Sequence, residues 1–218
     1  MKHFIEELNE LKERLLDMGA KVDSSVRRSV TAVLERNESL ASAVLADEPE
    51  INRMEMATDE LASRLLALNQ PVAKDLRFLI ACIKIVKDLE RMGDLAVNIA
   101  QRAISLSRKR NLAAPVDVDA IAQRVEAMVA KSLEALANVD EGLARGVLVS
   151  DDEVDQLRSG AYRKLIALME EEPQNSSQDL DFVFVVHSLE RIADHATNIA
   201  EDVLHFVRGV DVRHHSKN

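Results

Sequence analysis

A twelve-residue block occurs twice in this chain, one hundred positions apart: Leu89-Glu90-Arg91-Met92-Gly93-Asp94-Leu95-Ala96-Val97-Asn98-Ile99-Ala100 and Leu189-Glu190-Arg191-Ile192-Ala193-Asp194-His195-Ala196-Thr197-Asn198-Ile199-Ala200. Eight positions are identical, and the shared Glu, Arg, Asp and Asn keep one spacing. Such a duplication constrains the fold strongly, because what the first half builds the second half builds again. On a helix, residues four apart lie about 40° from each other around the axis. Glu90, Asp94 and Asn98 therefore form one polar ridge, and Glu190, Asp194 and Asn198 another.

Helix is the secondary structure the rest of the chain asks for. The four prolines, Pro49, Pro71, Pro115 and Pro173, separate long stretches rich in Ala, Leu, Glu, Arg and Val, and no run alternates as a half-buried strand would. The pattern predicts six long helices near residues 3–46, 50–69, 72–109, 117–148, 151–172 and 178–208. Ser150-Asp151-Asp152-Glu153 reads as a capping box opening the fifth helix, with Asp47-Glu48-Pro49-Glu50 in the equivalent place before the second. Leu40, Val44, Leu45 and Ile51 match Leu143, Val147, Leu148 and Val154 at an offset of 103, against 100 for the block, the difference falling between the second and third helix of each half.

These matches predict an all-α fold, a duplicated long–short–long triplet forming two three-helix bundles, 1–110 and 117–208. Asn111 to Val116 is the junction, and 209–218 a flexible C-terminal tail. Leu79, Ile80, Ile83, Val86, Leu89, Ala96, Ile99 and Ala100 are the expected core face of the third helix. Val183, Val186, Leu189, Ile192, Ala196, Ile199 and Ala200 are that of the sixth. A first helix of 44 residues would span about 66 Å, with Gly19 a point for a bend.

Composition removes several function classes. At 218 residues the chain buries a core without disulfides or a structural metal, and the single Cys82 lies in an apolar stretch, as a buried small hydrophobe in a reducing, cytoplasmic setting would. Charge at Lys2, Glu6 and Glu7 is wrong for a signal peptide, and no apolar run approaches the roughly 20 residues of a spanning helix. Membrane contact is expected only through partners. A net charge of −10, 3% aromatics and no tryptophan argue against nucleic acid as a partner.

The polar ridges admit two readings. One is a solvated helix face with i,i+4 charge, or acids pairing with Arg91 and Arg191 across helices; the other is a site built twice. Duplication favours the second, because the polar positions persist while Leu95 and Val97 become His195 and Thr197. Carboxylates brought close must be protonated, paired with a cation or neutralised by a metal. Oxygen donors suit magnesium, manganese or iron, with zinc less expected. Gly93, Ala193, Ala96 and Ala196 permit close helix approach. No Glu-x-x-His pair, P-loop, Gly-rich nucleotide turn or nucleophile elbow is present, so the chain reads as not an enzyme.

The two motifs Glu90-Arg91-Met92-Gly93-Asp94 and Glu190-Arg191-Ile192-Ala193-Asp194, the approach Pro71-Val72-Ala73-Lys74-Asp75-Leu76-Arg77 and the run from Asp194 to Glu201 resemble the PhoU family of phosphate-uptake regulators over essentially the whole chain. The resemblance implies a non-enzymatic negative regulator of the phosphate-starvation response. It would link a phosphate ABC transporter, through its ATPase PstB, to the sensor histidine kinase PhoR, and would form a homodimer. It also implies a divalent transition metal, iron or zinc before manganese or magnesium, on Glu90, Asp94, Glu190 and Asp194, with Asn98, Asn198 and Glu201 as neighbours. Gln101 stands opposite Glu201, and Ala193 replaces a glycine usual in the family, so the two sites are expected to differ. His195 is an extra ligand or a polar neighbour; His187 and His205 read the same way, and His214 and His215 fall in the tail. The rival readings are a PhoU-like metal-binding accessory of another phosphate transporter and a carboxylate-bridged metalloenzyme.

Overall fold

The computed structural model describes residues 2–110 and 114–208. It contains six α-helices: α1 (Lys2–Glu35), α2 (Glu38–Asn69), α3 (Ala73–Ser107), α4 (Val118–Asn138), α5 (Glu141–Glu171) and α6 (Ser176–Arg208), with one 3-10 turn over Pro173–Asn175. Among the described residues there is no strand, and the chain is all-α, as its pattern predicts. The expected tail over 209–218, with His214 and His215, and the start of the junction at 111–113 lie outside the described residues.

The helix boundaries differ from the sequence reading at two equivalent places. The first break falls at Arg36–Asn37, not near Pro49. Arg36 takes a left-handed φ of 52°, Asn37 N–H donates to the Ala32 carbonyl at 2.9 Å, and the Asn37 side chain accepts from Leu40 N–H at 3.0 Å. The second half repeats this device: Val139 has φ 56°, Asp140 N–H donates to the Ala135 carbonyl at 2.9 Å, and the Asp140 carboxylate accepts from Leu143 N–H at 3.0 Å. Each cap contributes about 1 kcal/mol. The clusters at 47–50 and 150–153 are more conspicuous in the sequence, yet both lie inside helices, α2 and α5.

Pro49 sits within α2, where a missing N–H costs about 3 kcal/mol. The flanking turn is tied to α1: Lys21 Nζ lies 3.2 Å from Asp47 and 2.5 Å from Glu50, Arg28 also binds Asp47, and Ile51 is buried beneath. α1 accordingly has 34 residues, which gives about 51 Å at 1.5 Å per residue, shorter than expected. The long–short–long triplet is corrected too: α2 has 32 residues and α5 31, whereas α4 has 21. The offset change from 103 to 100 sits in α3, which runs sixteen residues before Leu89 where α6 runs thirteen before Leu189.

α1 buries Leu11, Leu15, Met18, Val22, Val26, Val30 and Val33, spaced by three and four as one helical stripe. The buried Ser29 and Ser132 hydroxyls donate back to the Val26 and Val129 carbonyls, at 2.7 and 2.8 Å, so neither is left unsatisfied. α1 runs unbroken through Gly19, whose role is a close approach: a Cβ there would meet Leu133 of α4 at 2.5 Å. Within each half the three helices pack on one another, and the halves join through α3 on α6 and α1 on α4. One continuous hydrophobic core runs through both.

α3 and α6 are antiparallel, because their partners run in opposite order: Phe78 with Phe206, Lys84 with Asp202, Asp88 with His195, Arg102 with Asp181. Leu89 and Leu189 are both fully buried, as their repeat positions predict. Ile80, expected in the core, is 40% exposed, and Ile83 and Val183 are half-buried. Cys82 is buried, and desolvation pushes its thiol well above the usual range.

The repeats compensate where α2 meets α3. A Cβ on Gly93 would stand 3.2 Å from Ile51 Cγ2, whereas the equivalent buried pair in the second half is Ala193 and Val154, a methyl gained against a methylene lost. Gly93→Ala and Ile51→Val should therefore be less destabilising together than the sum of the two alone. The expected coupling is about 0.5–2 kcal/mol in chemical denaturation. Strict additivity would contradict the compensation.

Candidate functional site along the seam of the two repeats

The duplicated block carries its acids on α3 and α6, and the elements packed beside them decide what each acid meets. In the first half Glu90 is half-buried next to Asp94 and near Glu55 of α2. Its cation, Arg91, is a neighbour on the same helix at 3.5 Å, and Arg91 also reaches Asp94 at 3.4 Å. Burial and then the Asp94 charge raise the Glu90 carboxyl above its ordinary range, with Arg91 opposing. Glu55 is held by Lys87.

In the second half the charges are exchanged. Arg158 of α5 occupies the place of Glu55 and binds Glu190 directly, and His187, in the place of Lys87, lies 3.6 Å from the same carboxylate. Glu190 is thus a buried, paired acid. Asp194 faces α5, where Asp151 and Asp155 stand at positions held by Glu48 and Asn52 in the first half. Burial, then Asp194, then Asp155 raise the Asp151 carboxyl; burial and then Glu190 raise that of Asp194. Asp194 remains half exposed, so solvent tempers its part.

Arg91 and Arg191 pair along their own helices, Arg191 at 4.0 Å from Asp194, which is the local form of the solvated-face reading and not its across-helix form. The two ridges do not merge. Asp94 and Asn98 line an open cleft of about 410 Å³ between α3 and α6, together with Arg91, Arg191, His187 and His195. Glu201 lines a second opening of about 430 Å³ further along the seam. Asn198 donates to Asp88 at 3.1 Å, and His195 Nδ1 lies 2.7 Å from the same carboxylate oxygen, so both serve the seam. His205 lies near the end of α6, away from either ridge.

The donor chemistry, oxygen throughout, suits a hard or borderline divalent ion, and the raised carboxyls mark charge that protein cations leave uncompensated. Among the described residues, however, no three His, Cys, Asp or Glu side chains converge on a metal-sized point. Side-chain rotation would have to bring them together, and Glu190 and Asp155 would first have to leave Arg158. Asp88, Glu55, Asp151, Asp155 and Arg158 escaped the sequence reading as site residues, Asp151 entering it only as part of a capping box. A signal for the last three was present: a stretch with Asp151, Asp155 and Arg158 at helical spacing faces the block once α5 is started at Asp140.

The family model described as PhoU domain matches residues 15–103 and 118–203, once for each helical triplet. The chain is 42% identical over 214 residues to the phosphate-specific transport system accessory protein PhoU homolog of Pseudomonas putida, covering 98% of this chain and 84% of that protein. It is 31% identical over 211 residues to the accessory protein PhoU of Escherichia coli, covering 97% and 88%. The crystal structure of PhoU from Pseudomonas aeruginosa superposes with a TM-score of 0.93 at 40% identity, over 95% of this chain and all (100%) of that one. That of the phosphate transport system regulatory protein PhoU from Streptococcus pneumoniae gives 0.88 at 28% identity, over 96% and 99%.

A carboxyl raised by burial and like charge takes up a proton more readily in the folded chain than in the unfolded one. Stability contributed there is therefore lost as pH rises through and above the ordinary carboxylate range. Asp194→Asn should raise the stability of the metal-free protein at pH 7 and flatten its decline between pH 4 and 7. Solvent screening keeps the gain below about 1 kcal/mol. Thermal denaturation in the presence of a chelator reads both; a loss of stability would mean that the Arg191 contact outweighs the repulsion.

Proposed function

The chain belongs to the PhoU family, and from that premise we propose that it is the accessory protein of a phosphate-specific transport system, acting as a negative regulator of the phosphate-starvation response. The observation that carries this reading is end-to-end likeness: both repeats match the family model, and relatives named as phosphate-specific transport system accessory proteins align over nearly the whole chain. In this reading the protein turns over no substrate. It works in the cytoplasm as a homodimeric adaptor between the transporter ATPase PstB and the kinase PhoR. The helices support such a role, since long exposed faces on α2 and α5 flank the seam, and no helix is long and apolar enough to cross a membrane among the described residues.

The same proposal includes a divalent transition metal, iron or zinc before manganese or magnesium. Asp94 and Glu90 would hold it in the first half, and Asp194 with Asp151 and Asp155 in the second, with Asn98, Asn198 and Glu201 nearby. A bound cation would add to the partial compensation these carboxylates receive from Arg91, Arg191 and Arg158, and would tie the outer helices to α3 and α6. Service to a different phosphate transporter is distinguished by gene neighbourhood.

Deleting the gene should derepress starvation genes at high phosphate, and affinity capture from extract should recover the transporter ATPase or the kinase. Unchanged phosphate signalling with altered metal tolerance would contradict the adaptor role. Elemental analysis of untagged protein should show metal lost stepwise with Asp94→Asn and Asp194→Asn; full retention in the double variant would make the ridges structural.

A further inference from the structure

Carboxylates and asparagines in the repeated block suit a cation, but the block also keeps an arginine in both copies, Arg91 and Arg191, and a guanidinium beside a metal site opposes the metal. Both arginines line the cleft between α3 and α6, one from each repeat. We propose that Arg91 and Arg191 form a clamp for a protonated oxyanion of the phosphoryl class, bound in the α3/α6 cleft with Asn98 and His187 as further donors.

Three observations carry the proposal. First, the cleft gathers positive charge on a chain of net charge −10: Arg91, Arg191 and Arg102 line it, against one lining carboxylate, Asp94. Second, these arginines are loosely engaged. Their ion pairs are long, 3.4 and 3.5 Å for Arg91, 3.5 Å for Arg102 and 4.0 Å for Arg191, and His187 stands 3.6 Å from Glu190. Elsewhere on the molecule Arg14, Arg108 and Arg145 close on their acids at 2.6, 2.7 and 2.9 Å, and the more loosely held Arg64 and Arg124 at 3.2 and 3.3 Å. Charge-assisted N–H···O bonds settle near 2.7–2.9 Å, so the cleft arginines have room to exchange a weak partner for a better one. Third, Arg102 is placed at the cleft end over the Phe184 ring, 4.7 Å from its centroid, which orients its guanidinium.

The composition of the cleft also selects among anions. Guanidinium forks match two oxygens of a tetrahedral oxyanion, and Asn98 adds amide donors. Asp94 accepts only, so it repels a fully deprotonated anion and accepts a hydrogen bond from one that carries a proton. Hydrogen phosphate keeps such a proton at pH 7 and sulfate does not; a phosphate monoester, with a second pKa of about 6, keeps one in only a minor fraction of molecules there and binds better as pH falls. The inference does not rest on the regulator reading or on a bound metal.

Calorimetric titration of the purified full chain at pH 7 tests it, with inorganic phosphate, a phosphoserine peptide and sulfate at matched ionic strength, before and after chelation. Saturable binding of phosphate or of the phosphopeptide is expected, with sulfate weaker by about tenfold or more. Binding of only one of the first two identifies whether the group arrives free or on a carrier. Arg91→Gln or Arg191→Gln should each weaken binding about tenfold, while Arg14→Gln, which removes the same charge far from the cleft, should not. Arg91 and Arg191 are exposed, and circular dichroism verifies that their variants stay folded. No saturable binding of either phosphoryl ligand, equal binding of sulfate, equal loss with Arg14→Gln, or disappearance on chelation would each overturn the proposal.

Discussion

Antiparallel packing of α3 on α6 is the contact from which the remaining arrangement follows. It joins the two triplets into one core and lays the repeated blocks across each other. Its polar part is confined and satisfied: Asp88 takes His195 at 2.7 Å and Asn198 at 3.1 Å, the buried Asp202 takes Lys84 at 2.9 Å, and the buried Asp181 takes Lys109 at 2.6 Å and Ser105 at 2.8 Å. Buried ion pairs of this kind add little net stability against an apolar core, but breaking one leaves an uncompensated charge, so they fix which register is allowed. Register in turn decides that Glu90, Glu190 and Asp194 meet residues of α2 or α5, while the arginines of both blocks share the cleft with Asp94.

The two halves are equivalent in backbone and unequal in charge. Glu55 and Lys87 in one correspond to Arg158 and His187 in the other, and Asn52 corresponds to Asp155. One exchange pairs Glu190 and leaves Glu90 poorly compensated; the other concentrates acid around Asp194. A duplicated fold has in this way produced two carboxylate clusters with different charge surroundings.

How much of this the sequence discloses depends on the range of the interaction. Helix identity and the buried faces of α3 and α6 are periodic signals, and they are legible, down to the matched burial of Leu89 and Leu189. Helix ends are decided by one or two residues. The left-handed Arg36 and Val139, neither of them glycine, carry no compositional mark, so the louder Pro49 and Ser150 drew the boundaries away from the true caps at Asn37 and Asp140. The site was legible as a list of acids and not as a geometry, because Arg158, Asp151 and Asp155 meet the block only after α5 folds back on α6.

The central claim is that the repeated block builds two separate carboxylate sites on the flanks of a single seam. Anomalous diffraction from crystals of the protein loaded with iron or zinc tests this most directly. Two groups of peaks are predicted, one on Glu90 and Asp94 and one on Asp194 with Asp151 and Asp155. A single peak within the α3/α6 cleft, shared by both blocks, would contradict it.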